Sequence, residues 1–120
     1  MSKKSNLPPK EKVELYDRLI ATNPDIERKG VTVPYTSHNG HMFTCLSKTG
    51  SLGIRLEKDE REAFLDKFNT TLYESYGAIM KEYVTVPDEL LKNTQELTTY
   101  LELSFEYIKT LKPKPTKKIS

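Results

Sequence analysis

Cysteine is almost missing from this chain. One thiol, Cys45, stands alone among 120 residues, so an internal disulfide is excluded and a reducing, cytoplasmic home is expected. Long apolar runs are missing too. Nothing approaches the 18 residues a membrane helix needs. The N-terminal stretch MSKKSNLPPKEK has lysines but no apolar segment behind them, so it does not read as a secretory signal. No internal repeat occurs. There is no phosphate-binding glycine loop either, because Gly50 and Gly53 fall within a hairpin rather than ahead of a helix.

Positive charge is scarce where a nucleic-acid-binding body would carry it. The chain has 19 basic and 17 acidic residues. Residues 1–12 hold four lysines and one glutamate, and residues 109–120 hold five lysines and no acid. That leaves ten bases against sixteen acids in residues 13–108, a net charge of −6. Duplex-binding domains place their positive charge on the folded surface, so nucleic-acid binding by the body is not expected. Contact through the tails stays open.

What remains is an ordinary globular composition, 36% hydrophobic and 30% charged. The length fits one domain that buries roughly two-thirds of its unfolded surface. The expected division is a tail over 1–7, a domain over 8–112, and a basic Pro/Lys tail over 113–120.

The chain is organised around residues 30–56, GVTVPYTSHNGHMFTCLSKTGSLGIRL. Asn39-Gly40 is a strong hairpin signal, because a type I′ turn needs positive φ at both central residues. A regular two-residue loop pairs His38 with His41, Ser37 with Met42, Thr36 with Phe43, Tyr35 with Thr44 and Val33 with Leu46. Val31, Val33, Tyr35, Met42, Thr44 and Leu46 then share one face, the expected core face. Pro34, Thr36, His38, His41, Phe43 and Cys45 share the other. Pro34 cannot donate to a ladder, which puts this strand at an edge or a bulge. Leu52, Ile54 and Leu56 alternate in a third strand.

Helices flank the hairpins. Val13, Leu15, Tyr16, Leu19 and Ile20 form a stripe that Asn23-Pro24 stops. Residues 57–69 read as a second helix with Ala63, Phe64, Leu65 and Phe68 as its apolar face. Residues 70–74 and 79–86 read as strands. The turn DELL after Pro87 points Leu90 and Leu91 inward. Asn93 or Thr94 caps a last helix striped with Leu97, Leu101, Phe105, Ile108 and Leu111, which Pro113 ends. The expected class is α+β: a single antiparallel sheet with helices packed on one face, order α-β(3)-α-β(2)-α.

Chemistry-bearing residues are few. His38 and His41 sit opposite each other at the hairpin tip, about 5 Å apart at Cβ. They are the only metal-ligand pair in view. Cys45 lies roughly 13 Å along the strand, beyond their reach, and zinc wants three or four ligands. An exposed polar tip is the plainer reading, so no metal and no cofactor are assigned. Cys45 lacks an orienting group and reads as a small packed residue rather than a nucleophile. The acidic run Glu57, Asp59, Glu60 and Glu62 reads as a solvated helix start.

An ordered set of residues carries a family resemblance: Met42-Phe43, Gly50, Leu52-Gly53-Ile54-Arg55-Leu56, Asp59, Arg61, Phe64, Met80, Tyr83, Val86-Pro87, Leu90-Leu91, and Leu97 with Tyr100. This pattern resembles the N-terminal domain of the TfoX/Sxy competence-regulator family. As a pattern of elements it spans most of residues 8–112. The family commonly carries Met-Phe-Gly-Gly after an arginine where this chain has Met42-Phe43-Thr44-Cys45, and residues 34–41 look inserted. No room is seen for the family's C-terminal helix-hairpin-helix domain, so a transcriptional competence role is not expected to carry over. The resemblance implies a small stand-alone protein without enzymatic activity.

The expected function is therefore a non-enzymatic regulatory or protein-interaction module with an unidentified protein partner. Its contact surface is expected on Pro34, Tyr35, Thr36, His38, His41 and Phe43, or along the edge strand 31–37, where a homodimer is plausible. The alternatives are a nucleic-acid accessory protein bound through Lys3, Lys4, Lys112, Lys114, Lys117 and Lys118, and a metal- or ligand-binding protein using His38 and His41.

Overall fold

The chain alternates short amphipathic helices with short strands. In the computed structural model, residues 9–30, 33–75 and 77–113 are described. Helix α1 spans Lys10–Ile20 and buries Tyr16, Leu19 and Ile20. Strands β1 (Tyr35–His38), β2 (His41–Leu46) and β3 (Leu52–Arg55) follow. Then come α2 (Lys58–Phe68), β4 (Leu72–Ser75) and β5 (Ala78–Val86). A single turn, α3 (Asp88–Leu91), leads into α4 (Thr94–Lys109). The five strands form one antiparallel sheet in the order β1-β2-β3-β5-β4. The expected α+β class and element order both hold.

Local chemistry sets the element ends. Pro9 precedes α1, and its carbonyl accepts from the Lys12 and Val13 amides. Asn69 closes α2 in the left-handed region, φ 52, which asparagine tolerates. Asn93 caps α4: its side-chain oxygen accepts from the Glu96 amide at 3.2 Å, and its amide donates to the Glu96 carboxylate at 3.2 Å. Helix α4 stops at Lys109, short of Pro113, where the Thr110 hydroxyl donates to the Tyr107 carbonyl at 2.6 Å.

The helices cover one face. Helix α1 packs on α4, α4 lies across β1, β2 and β3, and α2 leans on β5. Leu46, Ile54, Leu56, Val84, Leu97, Leu101 and Ile108 are fully enclosed between the layers. Tyr100 of α4 makes edge-on ring contacts with Phe64 and Phe68 of α2, which joins the two helices. Ala63, expected on the apolar face of α2, is exposed.

The first hairpin departs from the expected register. His38 does face His41 and Ser37 does face Met42, but Thr36 then faces Thr44 and Tyr35 faces Cys45. Phe43 is an extra residue, a β-bulge. Because side chains alternate with period two, one extra residue reverses the faces beyond it. Thr36, Phe43, Thr44 and Leu46 are all buried under the helices. Tyr35, Met42 and Cys45 line the opposite, helix-free face. The expected core face is thus split, with Tyr35 and Met42 outside it and Thr36 and Phe43 within it. Val31 lies outside the described residues. The Phe43 ring stacks on Phe105, with centroids 5.5 Å apart, which fixes the bulge inward.

A second irregularity does the same to β5. Leu72 faces Val84, yet Tyr73 faces Met80, so Lys81, Glu82 and Tyr83 have no partner on β4, although Tyr83 faces Arg55 on β3. An odd insertion again swaps the faces. Val84 and Val86 enter the core while Met80 turns to the helix-free side. This explains why neither alternating set of β5 looks purely apolar in the sequence.

Candidate functional site

The hairpin residues expected to form a contact surface do not share one. Phe43 and Thr36 are 0% exposed, and Pro34 is buried as well. His38 lies edge-on to the Phe105 ring, with centroids 5.2 Å apart. His41 Nε2 bonds the Lys112 carbonyl at 2.8 Å. Both histidines are half-buried and engaged with the end of α4 and the segment after it. Among the described residues, no group of three or more His, Cys, Asp or Glu could hold a metal ion.

The β1 edge is partly occupied. The Tyr35 N–H donates to the Lys29 carbonyl at 3.0 Å, and the Lys29 N–H donates to the Tyr35 carbonyl at 2.8 Å. A second copy pairing there would have to displace this bridge.

The candidate site is the helix-free face. Its two reversed strands make an open cleft of about 830 Å³. Tyr35 and Met42 form one wall, Leu72 and Met80 another, and the β2–β3 turn closes one end with Ser47, Thr49 and Ser51. Cys45 and Tyr73 contribute from the strands beneath. Tyr73 is only 2% exposed although no helix covers it. Its ring lies across Gly53 of β3, where a Cβ would sit 2.8 Å from the ring. Only glycine leaves room for that approach. The Tyr73 hydroxyl donates to the Ser51 carbonyl at 2.9 Å, so β4 is tied across β5 to the β2–β3 turn. That turn is itself anchored to α1, because Gly50, at φ +89, packs against Lys12.

The electrostatics of this face are muted. Burial pushes the Cys45 thiol up to about 11, against the opposing pull of a hydrogen bond with Tyr73. At neutral pH the group is a thiol, roughly one part in ten thousand thiolate. The charged lining residues are Lys48 and Glu74, one of each sign.

Other polar groups are committed to holding the layers together. Tyr16 of α1 bonds Thr44 at 2.7 Å, and Thr44 bonds Thr36 at 2.7 Å, a buried chain of hydroxyls. Burial raises the Tyr16 phenol far above its ordinary value. Arg55 pairs with Glu82 at 2.7 Å and lies over the Tyr107 ring at 5.9 Å. Ser104 donates to the Arg55 carbonyl. The Tyr83 hydroxyl donates to the Met42 carbonyl at 2.6 Å, and burial pushes that phenol up to about 12.

Sequence reasoning named Tyr35 and placed Cys45, but missed Tyr73, Gly53, Met80 and Leu72 as lining or floor. The available signal was Gly53 itself, since glycine inside a strand often marks a close approach. No helix among the described residues is long and apolar enough to cross a membrane. Comparison with protein families, curated proteins and solved structures finds no match to this chain.

Proposed function

We propose that the chain is a non-enzymatic regulatory or protein-interaction module of the cytoplasm, with the helix-free face as its working surface. The observation that carries this reading is the neutral cleft of about 830 Å³ on that face, lined by thioether, aromatic and hydroxyl groups. The group nearest to chemistry there, Cys45, is held protonated, which suits packing better than nucleophilic attack. The resemblance of the ordered residue set from Met42 to Tyr100 to the N-terminal domain of TfoX/Sxy regulators supports the same class.

The test is affinity capture from the native cell with the tagged chain. Leu72→Asp and Met80→Asp place charge on the cleft wall, and Glu102→Lys alters an exposed helix position. Partners retained by the wild type and Glu102→Lys but lost from both wall variants are expected. Capture that ignores the wall variants would contradict the reading.

A second reading is a nucleic-acid accessory protein, favoured by the separation of a body at −6 from lysine-rich ends. Salt-sensitive DNA retention that disappears when residues 1–8 and 113–120 are removed would support it. Retention that survives that removal would count against it.

A further inference from the structure

We infer that the helix-free cleft is a binding site for a small uncharged ligand, largely apolar with one or two hydrogen-bonding groups. This rests on the reading that the helix-free face is the working surface. The cleft, at about 830 Å³, has the size of sites that enclose small organic molecules. Its chemistry selects against ions. Lys48 and Glu74 cancel, and every other lining side chain among the described residues is neutral, with Cys45 protonated at pH 7. A charged ligand entering would shed water without gaining an excess of opposite charge.

The site also combines a fixed floor with adaptable walls. Tyr73 is locked by Gly53 beneath it and by the Ser51 carbonyl at its hydroxyl, so the floor is formed before anything binds. Met42 and Met80 are unbranched thioethers that adjust to the shape of an apolar guest. The Ser51 and Thr71 hydroxyls in the lining can orient a hydroxyl or carbonyl of the guest, whereas Ser47 and Thr85 are engaged with the Thr49 and Ser51 amides and the Leu72 carbonyl. A partner's strand added at an edge would extend the sheet sideways, whereas this volume lies on the face of the sheet, between residues of β1 and β2 on one side and of β4 and β5 on the other.

The experiment titrates the full chain with three matched probes, 2-naphthol, 2-naphthoate and 2-naphthylmethylammonium, at pH 7, followed by amide NMR shifts. Saturable shifts with 2-naphthol at Cys45, Gly53, Tyr73 and Thr85 are expected, with both charged probes at least tenfold weaker. Saturating 2-naphthol should also slow maleimide alkylation of Cys45 at least fivefold. Met80→Trp, at a half-exposed wall position, fills the cleft and should weaken 2-naphthol at least tenfold while leaving the fold intact by NMR. Shifts that never saturate, shifts confined to the helix layer, equal binding of 2-naphthoate, or unchanged binding by a folded Met80→Trp would each overturn the inference. Failure here with partner capture still lost from Leu72→Asp removes the ligand and leaves the working surface standing. Saturable 2-naphthol binding with capture indifferent to the wall variants removes the proposed partner surface instead.

Discussion

Gly53→Ala should destabilise the fold through Tyr73 alone. The added Cβ would lie 2.8–2.9 Å from three atoms at the base and flank of the ring, closer than such contacts occur. The ring cannot swing away cheaply, because it is 2% exposed and its hydroxyl is bonded to Ser51. Overpacking of this kind costs about 1–3 kcal/mol. Losing the Tyr73–Ser51 hydrogen bond adds about 1 kcal/mol. Alanine recovers about 0.5–1 kcal/mol, because it loses less backbone freedom than glycine. The net cost is about 1–3 kcal/mol, read as a lower urea midpoint at unchanged slope, or a melting temperature lower by about 4–10 °C. The decisive comparison is a double-mutant cycle with Tyr73→Ala. In that background the added methyl has nothing to strike, so Gly53→Ala should become neutral or stabilising, a coupling of about 1–3 kcal/mol. A Gly53→Ala cost that persists without the tyrosine ring would refute the reasoning.

Three further outcomes follow from named contacts. Thr44→Val leaves the Tyr16 and Thr36 hydroxyls without their shared buried partner and should cost about 1–3 kcal/mol by urea unfolding, whereas Thr44→Ser should recover most of it. Phe43→Ala should cost about 3–5 kcal/mol and Met42→Ala under about 2 kcal/mol, because only the bulged residue enters the core; the reverse order would restore the regular hairpin. Cys45 and Tyr83 have folded pKa values pushed up to about 11 and about 12, so the folded state keeps protons that the unfolded chain releases first. Stability is therefore full below pH of about 8 and is lost as pH rises through about 9 to 12, and Cys45→Ala should flatten the first part of that decline in pH-dependent urea unfolding.

Residues with only one plausible environment were legible in the sequence. Asn39-Gly40 announces a turn because few other pairs accept two positive φ values, and the structure has Asn39 at φ 54 and Gly40 at φ 83. Asn93 announces the last helix because its cap bond is local, three residues long. The stripe Leu97, Leu101, Phe105 and Ile108 needs only helical periodicity to declare its buried face. Tyr73 was not legible in this way. Its burial depends on a glycine 20 residues earlier in a strand two positions away in the sheet, and on a carbonyl in another turn. Gly53 within its strand signals a close approach, but no local pattern names the ring that makes it.

The two bulges explain why the candidate site moved. A regular hairpin sends Thr36 and Phe43 to one face and Tyr35 and Met42 to the other. The burial of either pair is a choice between two faces that differ little in polarity. Helices α4 and α1 decide it. Phe105 offers a ring for Phe43 to stack on, and Tyr16 offers a hydroxyl to the buried Thr36–Thr44 pair. Satisfying both from one strand requires Phe43 and Thr44, adjacent residues, to point the same way, which a regular strand forbids and a bulge permits. Tyr35, Met42 and Cys45 are then left on the far side, and the odd insertion in β5 delivers Met80 to meet them. The cleft is thus a consequence of how the core is satisfied. Deleting Phe43 would remove its ring from Phe105 yet keep Thr36 opposite Thr44 and Tyr35 opposite Cys45, so the fold should lose core packing while Tyr35, Met42 and Cys45 stay on the cleft side.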